Sequence, residues 1–109
     1  MAIVYKVLGQ SSPSATTDTD VYTVPSATSA VVSTISVCNR SDTAASYRIA
    51  VRPAGATIAN QHYIAYDIAL AANDTTALTL GVSLATTDVV TVYASTANLT
   101  FNIFGSEIA

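Results

Sequence analysis

Apolar and polar residues alternate with a period of two along most of this chain, and many of the apolar positions hold β-branched residues. A period of two places alternate side chains on opposite faces of a pleated strand, and branching at Cβ suits that surface better than a helix. In the run 47–52, Tyr47, Ile49 and Val51 alternate with Arg48, Ala50 and Arg52. Eight strands are predicted, at about Ala2–Leu8, Asp20–Val24, Ala30–Cys38, Ala45–Arg52, His62–Ile68, Thr75–Leu80, Val89–Ala94 and Leu99–Phe104. In the third, Val31, Ile35 and Val37 are expected on one face and Val32, Thr34 and Ser36 on the other. Pro25 closes the second strand and Pro53-Ala54-Gly55 the fourth, since proline cannot donate to a ladder.

Asn, Asp and Ser bond their own backbone in turns. On that basis Asn39-Arg40-Ser41-Asp42 is read as a hairpin between the third and fourth strands, and Ser95-Thr96-Ala97-Asn98 as a hairpin between the last two. Asn73-Asp74 precedes the sixth strand. The Ala-rich stretch 68–72 is too short to sustain a helix and is read as the approach to that turn. Short strands with frequent turn signals predict an all-β fold, an antiparallel β-sandwich that is jelly-roll-like or Ig-like. It is read as one domain over 1–109, with a flexible loop or arm near 10–19, where Ser, Thr and Pro concentrate.

Charge is scarce. Asp, Glu, Lys and Arg make up 10% of residues, against about 25% in an average soluble domain. Sixteen Thr, twelve Ser and nineteen Ala take their place. A surface of this kind can be covered without stranding charges, which suits a protein held inside an assembly. The net charge of −3 and the absence of a basic stripe argue against nucleic acid. No run of apolar residues is long enough for a transmembrane helix, so no membrane partner is expected. Met1–Lys6 lacks the pattern of a signal peptide, and the lone Cys38 has no partner for an internal disulfide. Both lead to the expectation of synthesis and assembly in a cytoplasm.

No catalytic constellation emerges. His62 is the one histidine, no Gly-x-Ser-x-Gly elbow accompanies it, and it is read as a strand-end residue bonded to a neighbour. Cys38 is read as a small buried hydrophobe. One His and one Cys leave zinc short of ligands, and Asp18 and Asp20 lack the companions of a calcium loop. The expectation is no enzyme, no cofactor and no metal. The triplets beginning at Asn39, Asn73 and Asn98 match the glycosylation acceptor pattern but are read as turn residues. Arg48 and Arg52 are predicted to project from one face of the fourth strand, with Tyr63 nearby, as the candidate interface.

The chain resembles a group of small virion structural proteins of bacteriophages, cyanophages among them. The resemblance is carried by Tyr22-Thr23-Val24-Pro25, by residues 31–39, by residues 48–55, by His62-Tyr63-Ile64-Ala65-Tyr66-Asp67, by Ala72-Asn73-Asp74-Thr75 and by Phe104-Gly105-Ser106-Glu107. It implies a capsid decoration, or cement, protein located in the virion. The partners would be the major capsid protein or other virion proteins. Residues 1–8 or the 10–19 loop would serve as arms that add a strand to a neighbour. A tail, neck, baseplate or fibre-associated module is the alternative. A homo-oligomer is expected because charge is scarce and open sheet edges call for cover, a trimer by preference because trimers suit the three-fold positions of a shell.

Overall fold

The computed structural model describes residues 2–109, folded into eight strands: β1 (Ile3–Ser11), β2 (Thr19–Thr23), β3 (Ser29–Asn39), β4 (Ala45–Arg52), β5 (Tyr63–Leu70), β6 (Thr75–Leu84), β7 (Val89–Ala94) and β8 (Leu99–Ile108). Short 3-10 turns occupy Pro53–Gly55 and Asn60–His62. The strands form two four-stranded antiparallel sheets, ordered β1-β8-β3-β6 and β2-β7-β4-β5. The pairing is nested: β1 with β8, β2 with β7, β3 with β6, β4 with β5. One long hairpin, rolled until β3 meets β8 and β4 meets β7, generates that order. This is the jelly roll, one of the two sandwich topologies expected.

The sheets pack through Tyr47, Ile49, Val90 and Val92 on one side and Val32, Ile35, Val37, Leu99, Phe101 and Ile103 on the other. The Tyr47 and Phe101 rings meet edge to face at 6.2 Å between centroids, a favoured aromatic geometry. Where β1 approaches β2, the chains lie so close that a Cβ on Gly9 would sit 2.5 Å from the Val21 carbonyl oxygen. Glycine is required there by space.

The structure corrects several local expectations. Residues 39–42 do not form a hairpin, because β3 and β4 lie in different sheets; the same holds for residues 95–98 between β7 and β8. Both segments cross between the layers. Only the β4–β5 connection stays within one sheet. In β3, Val32, Ile35 and Val37 are buried while Val31 is only half-buried. A bulge between Val32 and Thr34 shifts the phase, so Val32 joins the inward face and Val31 leaves it. The 10–19 loop shrinks to residues 12–18, because Gln10 and Ser11 belong to β1 and Thr19 to β2. Ala2–Leu8 is not a free arm: Ala2 and Ala109 exchange backbone hydrogen bonds, and β1 is laddered to β8. Met1 lies outside the described residues. The strand predicted from His62 begins at Tyr63, and β6 and β8 run on to Leu84 and Ile108.

Asn39 holds one end of the sandwich. It is 2% exposed. Its Nδ2 donates to the carbonyls of Thr43 (2.9 Å), Ala71 (3.2 Å) and Leu70 (3.4 Å). Its Oδ1 accepts from the Ser41 amide and hydroxyl. The turn role expected of this residue is therefore realised, at a crossing between sheets.

Candidate functional site

The outer face of the β2-β7-β4-β5 sheet carries the residues singled out from the sequence. Arg48 and Arg52 project from that face of β4, as expected. Tyr93 lies directly across from Arg48 on β7. On β5, Tyr66 and Asp67 together oppose Arg48, because the register slips between Ala65 and Ile68. Asp67 adopts φ +50° in this bulge, a left-handed conformation that aspartate tolerates better than most residues. The bulge aims its carboxylate at Arg48: Nε donates to Oδ1 at 2.6 Å. The guanidinium is also stacked between the Tyr66 and Tyr93 rings, 4.3 Å from each centroid. The hydrogen bond to Asp67 raises the Arg48 pKa; partial desolvation opposes it. Tyr63 meets Tyr66 edge to face at 4.9 Å, and the two rings line a shallow hollow with Asn60. Arg48 and Tyr63 are thus joined through Tyr66.

Arg52 belongs to a different group. Its Nε donates to Thr91 Oγ1 (3.0 Å), its Nη2 to Asp20 Oδ1 (2.8 Å), and its Nη1 to the carbonyls of Gly55 and Ala56. Thr91 donates in turn to Asp20. The guanidinium ties β2, β7 and the turn after β4 together, and each of its three nitrogens is bonded within the chain. Ala50, which lies between the two arginines and pairs with Tyr63, is buried.

Large apolar side chains stand exposed in two places on opposite edges of the sandwich. Ile3, Tyr5 and Val7 of β1, with Phe104 of β8 paired to Val7, share one face, while Val4 stands exposed on the opposite face; Tyr5 is 83% exposed. Ile64, Tyr66 and Ile68 of β5 and Leu80 of β6 stand exposed along the other edge, with Tyr66 on the outer face by Arg48 and Ile68 paired with the inward-facing Tyr47. β1 and β6 end one sheet, and β5 ends the other on the β6 side. Sequence reasoning named Tyr63, which lies opposite Ala50 on β5, but did not single out Tyr66, Tyr93 or Asp67. Tyr93 was reachable as the partner of Arg48 only once β4 and β7 were known neighbours.

His62 accepts the Ala59 amide proton at Nδ1 (3.0 Å) and is buried, the bonded strand-end residue expected. Cys38, expected to be buried, is half-buried on the face of β3 opposite Val37. Asp18 lies by the hollow beside Asp20, where Arg52 already supplies the cation. Among the described residues, no cluster of three or more His, Cys, Asp and Glu is arranged for a metal, and no helix is long and apolar enough to cross a membrane. Comparison with protein-family models, with curated proteins and with solved structures returns no match.

Proposed function

We propose that the chain is a structural protein of a bacteriophage particle that decorates the capsid and stabilises the shell by protein–protein contact. One observation carries the reading: two apolar patches, around Tyr5 and around Ile64 and Tyr66, lie on opposite edges of a sandwich whose surface has few charges. Exposed large apolar side chains gathered along an edge suit an interaction site, and two such edges on opposite sides suit a clamp that bridges neighbours. Covering about 100 Å² of apolar surface contributes roughly 2.5 kcal/mol before the cost of association. Many weak clamps around a shell add up to resistance against internal pressure. The likeness to small phage virion proteins supports the same reading, and the jelly roll is a fold that viral capsids use, an argument by analogy alone.

No step of this role requires catalysis. His62→Ala is expected to leave the infectivity of assembled particles unchanged, because the ring serves a local backbone bond. The deciding experiment is a cryo-EM reconstruction of purified particles, with copy number by quantitative mass spectrometry. The proposal expects density on the capsid exterior and copies comparable in number to the shell subunits. A handful of copies confined to the tail would overturn it in favour of a tail, neck, baseplate or fibre-associated module. The hollow of Asn60, Tyr63 and Tyr66 favours that second reading, since exposed aromatic faces also suit a sugar ring or a peptide.

A further inference from the structure

The edge of β1 is the most regular of the four sheet edges. Protein edges are usually blunted by shortness, bulges or inward charges, because an open row of N–H and C=O groups invites another strand. β2 has five residues and a register slip between Asp20 and Tyr22. β5 slips twice and contains Asp67 at φ +50°. β6 is interrupted beside Gly81 at φ +69°. From Ile3 to Val7, by contrast, β1 runs against β8 without interruption, and its irregularity comes only after Val7.

The ladder shows which groups this edge offers. Ala2 and Ala109 exchange both backbone bonds. Antiparallel pairs alternate between bonded and non-bonded, so Val4–Glu107 and Lys6–Gly105 are the next bonded pairs. The N–H and C=O groups of Ile3, Tyr5 and Val7 therefore point away from β8, toward the open edge. Their side chains share the outer face of the sheet and are 54%, 83% and 46% exposed. On the inner face Lys6 is held by Glu107 at 3.2 Å, so the edge's one charge is already neutralised.

We propose that this edge pairs with the same edge of a second copy, antiparallel, about a two-fold axis at Tyr5. The segment is self-complementary in this register. The two Tyr5 residues form the central bonded pair, and each Ile3 lies opposite Val7 of the other copy, β-branched against β-branched. Lys6 falls opposite Val4. Recentring the axis on Lys6 would set the two lysines against each other and bond only Tyr5 with Val7. A two-fold contact is isologous and closed, so it produces a dimer and no fibre. The two β1–β8–β3–β6 sheets become one sheet of eight strands, and both β5 edges stay free for other partners. This inference stands on the edge itself and holds whether or not the chain belongs to a virion.

Sedimentation equilibrium and residue-resolved amide hydrogen exchange on the purified chain test it. The expected result is a dimer in which the amides of Ile3, Tyr5 and Val7 are protected along with those of Val4 and Lys6. Tyr5→Lys places two like charges opposite each other and is expected to weaken the dimer about tenfold or more. Tyr5→Pro removes an N–H that the monomer does not use and is expected to do the same. Circular dichroism identifies a variant that has lost its fold, and exchange in the unaltered chain decides the matter without either variant. A monomer at all accessible concentrations, a trimer, or a dimer whose Ile3, Tyr5 and Val7 amides exchange freely would each overturn the proposal.

Discussion

The Tyr22 hydroxyl donates to Glu107 Oε2 at 2.6 Å, joining β2 of one sheet to β8 of the other, while Lys6 reaches Oε1 of the same carboxylate. The hydrogen bond from Tyr22 holds the Glu107 pKa below the ordinary glutamate value, assisted by Lys6 and opposed by burial. Burial, and then the bond to Glu107, push the Tyr22 phenol up.

Two pH limbs follow from this pair. As pH falls below about 4.3, the ordinary glutamate value, the unfolded chain takes up a proton that folded Glu107 resists, so this contribution to stability is lost in acid. As pH rises above about 10, the ordinary tyrosine value, unfolded Tyr22 ionises while the folded phenol stays protonated, so stability falls again. Tyr22→Phe is expected to flatten both limbs and to cost about 1–2 kcal/mol at neutral pH, where the partly buried carboxylate loses a donor. Urea midpoints measured across the pH range check both statements.

Asn39→Ala is expected to destabilise the chain by about 2–3 kcal/mol in urea titration, because the carbonyls of Thr43, Leu70 and Ala71 lose their shared donor. Asn39→Asp should do no better at neutral pH, since it turns a carboxylate toward those carbonyl oxygens in place of the amide.

Gly9→Ala is expected to cost about 1–3 kcal/mol. The new methyl would press on the Val21 carbonyl, a backbone atom that moves only if β1 and β2 separate. Thermal unfolding measures the loss, and exchange of the β2 amides should rise with it.

Arg52→Lys is expected to destabilise the fold by about 1–2 kcal/mol, because a single ammonium cannot serve Thr91, Asp20, Gly55 and Ala56 together. Amide exchange should rise in the turn after β4. Association with partner proteins should stay unchanged at temperatures where the variant is folded. A loss of binding from a stable fold would return Arg52 to the interface.

Much of the fold was legible in the residues themselves. β4 and β7 fall where alternation placed them, at Ala45–Arg52 and Val89–Ala94. All eight strands exist because period-two burial and β-branching are local properties. Turn chemistry was equally local: Asn39 bonds its own loop as its side chain predicts. The common face of Arg48 and Arg52 followed from spacing alone.

Tertiary structure decided which strand lies beside which. Ile3 pairs with Ile108 and Thr19 with Val92, across separations that no local pattern encodes. Two segments that resembled hairpin turns became crossings between sheets for that reason. The bulge beside Ser33 reversed the phase of Val31 and Val32, and the one at Asp67 turned a carboxylate and a tyrosine ring onto Arg48. Alternation says that a residue faces a side, but the packing of the two layers chooses which side becomes the core. Where backbone bonds and close packing conflict by one residue, a bulge absorbs the difference, and only the assembled sheet determines where.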